Sequence, residues 1–157
     1  MGKILSANKI LEELTIESPI VFTNGCFDIL HVGHVSYLQN ARNLGRILIV
    51  GINSDDSVKR LKGKGRPINN QKDRAIVLAS LECVSYVTIF KEDTPFNTIK
   101  KLKPDILVKG LDYKDNSISG QELVEADGGK VMIVGPFIKR MSTSNIIKKI
   151  SNPKNKA

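Results

Sequence analysis

Ala7, Ile10, Leu11 and Leu14 recur at the i, i+3, i+4, i+7 spacing of an amphipathic helix, and Ser6 stands where an N-cap belongs. Ile20 to Thr23 is a β-rich apolar run that stops at Asn24-Gly25, the pattern of a buried strand feeding a tight loop. From about Gly33 to Leu44 the spacing of Val35, Leu38 and Ala41, and of Tyr37, Ala41 and Leu44, is helical, with Gly45 at the stop position. Ile47 to Ile52 has no polar residue, as expected of a strand covered on both faces of a parallel sheet. A basic, glycine-containing loop is expected through Pro67, then a helix over about 71–82 capped by Asn70, and a third strand from Val84 to Phe90. Thr94 as N-cap with Pro95 at the first helical position predicts a helix with Phe96, Ile99 and Leu102 inward, followed by a strand from Asp105 to Lys109. A helix near Gln121 to Ala126, a turn at Gly128-Gly129, a fifth strand from Lys130 to Val134 and a last helix capped by Ser142 or Thr143 and ending near Ile150 complete the pattern.

Strands alternating with helices predict an α/β, Rossmann-like fold: an open, mostly parallel five-stranded sheet with helices on both faces. At 157 residues one domain is expected, over 1–150, with 151–157 as a basic, disordered tail. A hydrophobic share of 41% and a charged share of 25% are globular averages, which excludes whole-chain disorder and coiled coil. The longest apolar run is far shorter than the roughly 20 residues of a membrane-spanning helix. Lys9, Glu12 and Glu13 interrupt any signal-peptide core, so a cytoplasmic location with no membrane partner is expected. Met1, Gly2 and Ser6 fit the loose myristoylation pattern, a short match best explained by chance. The two cysteines, Cys26 and Cys83, lack metal-type spacing and read as small reduced residues.

The net charge of +8 is not spread evenly. Ser57 to Arg74 carries seven basic residues against Asp73 alone, and Lys130 to Ala157 carries seven and no acid, so the remainder is acidic. A basic balance confined in this way points to a polyanionic partner. The first segment has no aromatic residue and the second only Phe137, too few for the stacking platforms of single-strand nucleic-acid binders. Small polyphosphates fit better.

Ligands of open α/β sheets bind beyond the carboxyl ends of the strands. There lies the stretch from Asn24 to His34, with the chain's two histidines, His31 and His34, three residues apart at a strand-to-helix junction. Their imidazoles and the unbonded N–H groups of the helix start converge on one anion, with Gly33 permitting close approach. Local hydrogen bonding is the plainer alternative for each histidine, and a metal site lacks a third ligand nearby. Asp28 can orient the loop by accepting backbone N–H groups. Lys59 to Arg66, around Gly63 and Gly65, reads as a phosphate clamp, with Lys62 and Lys64 preferred over Lys59; a solvated loop is the alternative. Arg74 either contacts nucleotide or pairs with a carboxylate. Ser142, Thr143 and Ser144, beside Lys139 and Arg140, place hydroxyls and N–H groups at a helix start, which suits either phosphate binding or plain capping.

Gly25-Cys26-Phe27-Asp28 followed by His31-Val32-Gly33-His34 resembles the nucleotidyltransferase superfamily with the His-x-Gly-His signature. Asn24, Val108-Lys109-Gly110 with Asp112-Tyr113, Glu122-Leu123-Val124 before Gly128-Gly129-Lys130-Val131, and Ser142 to Ile147 narrow the resemblance to bacterial heptose 1-phosphate adenylyltransferases. It spans about Lys3 to Ile150. Leu111 stands where that group often has a second glycine, and Ser144 where threonine is usual.

The resemblance implies a nucleotidyltransferase-type fold and histidines working at the triphosphate. It implies nucleotide contacts at Asn24, Gly25, Cys26, Phe27, Asp28 and Gly33, and places Lys109, Gly110 and Asp112 in the nucleotide or sugar pocket. The substrates would be ATP with Mg²⁺ and a sugar 1-phosphate, and the product ADP-heptose for lipopolysaccharide. Such domains are often fused to a sugar kinase; here a stand-alone homodimer supplied by a separate kinase is expected. A cytidylyltransferase acting on glycerol 3-phosphate or another alcohol phosphate is the closest alternative, and a non-catalytic nucleic-acid-binding module the alternative of another class.

Overall fold

Period-two alternation in the apolar strands decides the layering. In the computed structural model, which describes residues 1–15, 19–111, 117–135 and 142–152, Val21, Leu48, Val50, Ile52, Val87, Ile106 and Val108 turn to one face of the sheet. Phe22, Ile47, Ile49 and Leu107 turn to the other. Burial of both sets, most at 0% exposure, requires helices on both sides. The elements run β1 (Lys3–Ile4), α1 (Ala7–Glu13), β2 (Ile20–Gly25), α2 (Val32–Arg42), β3 (Ile47–Asn53), α3 (Asp55–Lys62), α4 (Gln71–Ala79), β4 (Tyr86–Phe90), α5 (Phe96–Leu102), β5 (Ile106–Gly110), α6 (Gln121–Ala126), β6 (Lys130–Val134) and α7 (Thr143–Ser151). Leu38 and Ala41 of α2 and Ala75, Leu78 and Ala79 of α4 fill the first face. Ile10 of α1, Ile99 and Leu102 of α5 and Val124 of α6 fill the second.

All strand pairs are parallel, in the order β1-β4-β3-β2-β5-β6. The expected five strands are present and a sixth joins them. Residues Lys3–Ile4 are both exposed, so no apolar pattern marks them; they join the edge because Lys3 N–H donates to Ser85 O and Leu5 N–H to Val87 O, each at 3.0 Å. Two further expectations are corrected. The stretch after β3 is helical to Lys62, because Ser54 caps it (accepting from Ser57 N–H), Asp55 and Asp56 occupy its first turn, and Lys59, Arg60 and Lys62 its last. The helix after Thr94 is capped by Pro95 itself, without a side-chain bond. Ser6, Asn70 and Ser142 cap as expected. The expected tail begins at Ser151, which is still helical; its residues 153–157 lie outside the described ones.

After edge strand β1 the chain crosses to the centre of the sheet: β2 leads outward to β3 and β4 on one side, and β5 and β6 are added on the other. The connections therefore diverge between β2 and β5. Gly51 of β3, paired in register with Asn24, has no space for a side chain, since a Cβ there would lie 2.7 Å from the Phe22 ring and 3.3 Å from Phe90. We expect Gly51→Ala to cost about 1–3 kcal/mol by overpacking, read as a lower urea midpoint with an unchanged slope.

Candidate active site

Beyond the carboxyl ends of β2, β3 and β5 opens a cleft of about 580 Å³, within the usual range for small-molecule sites. Its floor is the loop after β2. Gly25 leaves little room there, since a Cβ would press on the Phe27 ring at 3.0 Å. Phe27 itself holds a left-handed backbone (φ 45°) that side chains rarely adopt. Its ring packs on His34 with centroids 5.1 Å apart.

His31 occupies the N-cap position of α2 without making a cap bond, and His34 sits in the first turn. The two imidazoles stack with centroids 3.8 Å apart and planes 22° off parallel. Among the described residues, the Nδ1 atoms of His31 and His34 are the buried side-chain polar atoms that have no hydrogen-bond partner. A buried unsatisfied polar group costs about 1–3 kcal/mol, and two at one point in a cleft call for a ligand. Burial pushes both imidazoles below their usual range, and His31 helps to push His34 down to about 4. The pair is neutral at pH 7 and cannot readily hold two protons.

Asp28 is committed to structure. Its carboxylate accepts from Arg66 Nε at 2.6 Å, Ile68 N–H at 2.8 Å and Asn69 N–H at 2.9 Å, while Asn69 Nδ2 donates to Asp28 O at 2.8 Å. Burial pushes its carboxyl up, but the N–H groups of Asn69 and Ile68 and the Arg66 guanidinium outweigh this and hold it below the usual range. Arg74 is likewise structural. Fully buried, it donates to Cys26 O, Asn69 O, Asn53 O and Asp55 Oδ1, closing the β2, β3 and 66–69 loops over one guanidinium. It is not among the residues lining the cleft, and of its two expected roles the structure shows the pairing with a carboxylate, Asp55.

The cleft gathers Asn24, Gly25, Cys26, Phe27, Asp28, His31, Gly33, His34, Lys62, Lys109, Gly110, Ser142, Thr143 and Ser144, drawn from four separate stretches of sequence. Lys109, 4% exposed, is bonded to Asn24 Oδ1 across the β2–β5 junction where the connections diverge. Lys59 and Lys64 stay outside. Lys59 is exposed beside Asp56 at 3.4 Å on α3, and Lys64 lies in the exposed turn between Gly63 and Gly65, both at positive φ. Asp112, Tyr113, Lys139 and Arg140 lie outside the described residues. Across from α2, Ser142 accepts from Asn145 N–H as a cap, Thr143 Oγ1 donates to Ile29 O at 3.1 Å, and Ser144 borders the cleft. Burial pushes the Cys26 thiol up, against the pull of Lys62, Arg74 and Arg66, which disfavours the thiolate.

Arg66, the far end of the expected basic clamp, also lines the cleft, as do Tyr37, Asn53, Leu61, Asp93 and Val134, which were not singled out from sequence as site residues. Tyr37 lies one turn beyond His34 and its hydroxyl joins Thr23 Oγ1 (2.7 Å) to Val108 O (3.1 Å), tying α2 to β2 and β5. Helical spacing from His34 would have found it. Asn53 ends β3 and Asp93 follows β4, so the strand-end rule would have found both.

The chain matches the family model described as cytidylyltransferase-like over residues 22–149. It is 57% identical over 156 residues to "Bifunctional protein HldE" of Helicobacter hepaticus, covering 98% of this chain and 31% of that protein. Against the protein of the same name from Helicobacter pylori strain P12 it is 56% identical over 153 residues, covering 98% and 32%. The chain thus spans about a third of the length of these curated relatives. Among solved structures, a lipopolysaccharide core biosynthesis protein from Thermoplasma volcanium superposes with a TM-score of 0.66 at 30% identity, over 76% of this chain and 98% of that one. A pantoate-beta-alanine ligase from Francisella tularensis shares the fold at a TM-score of 0.61 and 15% identity, over 95% and 73%.

The neutral pair makes stability depend on pH. Unfolded imidazoles titrate near 6.5, so between about 6.5 and 4 the unfolded chain binds protons that the folded His34 refuses, and stability falls as pH falls. Urea denaturation across that window should show the decline in wild type and a flatter profile in His34→Gln. Equal profiles would mean that the folded pair protonates freely.

Proposed function

The chain belongs to the cytidylyltransferase-like family, and from that premise we propose that it transfers the adenylyl group of ATP to heptose 1-phosphate, giving ADP-heptose and pyrophosphate. The observation that carries this reading is the stacked, neutral imidazole pair whose buried Nδ1 atoms lack partners at the start of a helix. Such a group of donors suits an anion whose charge grows during reaction better than a permanently bound one.

An oxygen of the sugar phosphate attacks the α-phosphorus in line with the leaving group. The new P–O bond forms as the bond from the α-phosphorus to the α,β-bridging oxygen breaks, and the electron pair departs with pyrophosphate. No covalent enzyme intermediate is needed. The chain's part is to position and to neutralise. His31 and His34 donate N–H groups to phosphate oxygens, with the start of α2 adding its dipole. Lys62 adds charge from the end of α3, and Lys109 from the β2–β5 junction. Ser144 and the start of α7 face them across the cleft.

Among the described residues no three His, Cys, Asp or Glu side chains can hold a metal ion together. The carboxylates in the cleft, Asp28 and Asp93, are paired with Arg66 and Arg60. In this reading Mg²⁺ arrives with the substrate, as MgATP. Among the described residues no helix is long and apolar enough to cross a membrane. The reading places the reaction in the cytoplasm, on the product of a sugar kinase. Homodimerisation remains the expectation carried by the family resemblance.

We expect His31→Ala and His34→Ala each to lower turnover about a hundred- to thousandfold, the usual effect of losing one transition-state donor, in a pyrophosphate-release assay. Testing four nucleoside triphosphates against heptose 1-phosphate and glycerol 3-phosphate decides the substrates. Preference for CTP with glycerol 3-phosphate would replace the adenylyl reading, and near-normal turnover in both histidine variants would refute the site.

A further inference from the structure

The cations near the cleft are not equivalent. Arg60 is taken by Asp93 Oδ1 and Lys91 O, each at 2.7 Å, Arg74 is buried on carbonyl groups beneath the floor, and Lys59 and Lys64 face solvent. Arg66 differs from all of them. Its Nε donates to Asp28 Oδ2 at 2.6 Å, its side chain is only 16% exposed, and it borders the cleft beside Lys62. Asp28, with a fully buried side chain, is itself fixed by the N–H groups of Ile68 and Asn69. A guanidinium carries five N–H donors. Here one is used on the carboxylate, and the Nη groups make no hydrogen bond among the described residues.

We propose that Arg66 is a pre-oriented phosphate-binding residue of this cleft, held for that task by Asp28 as a positioning residue. The proposal rests on the reading of the cleft as a site for phosphorylated substrates. Holding a long flexible side chain by one edge removes the rotamer entropy that phosphate binding would otherwise cost, and leaves the forked edge for a second planar contact. Asp28 does not cancel the attraction, because its oxygens already receive backbone N–H groups that disperse its charge. The anion recognised is a phosphate group, borne either by the nucleotide or by the acceptor sugar.

Calorimetric titration of the protein with inorganic tripolyphosphate, ATP and heptose 1-phosphate tests this in wild type, Arg66→Gln, Arg66→Lys and Asp28→Asn, with Lys100→Gln, on the exposed face of α5, as the control. Arg66→Gln should weaken binding about ten- to hundredfold, the range for hydrogen bonds to charged groups. Arg66→Lys, which keeps the cation but not the fork, should recover only part and carries the test if the glutamine variant does not fold. A loss confined to tripolyphosphate and ATP assigns Arg66 to the nucleotide, and one confined to heptose 1-phosphate assigns it to the acceptor; either supports the proposal. Asp28→Asn, which also loosens the 66–69 stretch, should weaken binding of the same ligand, and its effect should be smaller in the Arg66→Gln background than in wild type. Additive losses would overturn the positioning role. Binding by both Arg66 variants within twofold of wild type would overturn the assignment altogether. A wild type that binds these phosphates but turns none over refutes the transferase reading without touching this one.

Discussion

The buried polar clasp of Asp28 and Arg74 is what the site depends on. Between the end of β2 at Gly25 and the start of α2 at Val32 the chain has no regular structure, and its backbone groups need partners. Arg74 supplies one from below, to Cys26 O, and binds Asn69 O and Asn53 O with the same side chain. Asp28 returns the connection by receiving Ile68 and Asn69. Two side chains thus lock the histidine-bearing loop to β3 and to the stretch that carries Lys62 and Arg66. Breaking a buried, paired charge by removing one partner typically costs about 3–5 kcal/mol, so this network is stiff as well as specific.

That stiffness makes the unsatisfied histidines intelligible. A flexible loop would turn two imidazoles toward water, where each would find a partner and titrate near its ordinary value. Here Phe27, in a left-handed conformation, packs against His34 and the rings remain stacked with their Nδ1 atoms buried. The folded chain bears this cost because clasp and core over-determine the loop. A neutral donor that resists protonation discriminates by geometry rather than by charge alone, which suits a reaction in which negative charge shifts from one phosphate oxygen to another.

Much of this was legible in the sequence, and the misses have physical causes. The apolar strands and the capped helices declared themselves because burial on both faces and an N-cap each demand particular residue types. The edge strand Lys3–Ile4 did not, since its two residues are exposed and held by backbone bonds. Helix α3 was missed because its basic last turn resembles a solvated loop, although the Ser54 cap and the acids at Asp55 and Asp56 announced it. The histidine pair and the strand-end residues were found through the rule that ligands sit beyond strand ends. Tyr37 and Asp93 were passed over although helical spacing and the strand-end rule both reach them; Arg66 stood at the end of the expected basic clamp, and what spacing could not give is its long-range bond to Asp28.

Net charge illustrates the same point. The segment from Ser57 to Arg74 holds seven basic residues, yet only Lys62 and Arg66 of them line the cleft. Arg60 and Arg74 pair with Asp93 and Asp55, and Lys59 with Asp56 on the helix surface. In the second basic segment, Lys148 and Lys149 occupy the last turn of α7, where they complement the helix dipole. A count of charges therefore overstates the field that a ligand meets. The concave placement of a few fixed donors around the imidazoles suits a compact polyphosphate better than an extended polyanion, and that placement follows from which carboxylate each cation has already found.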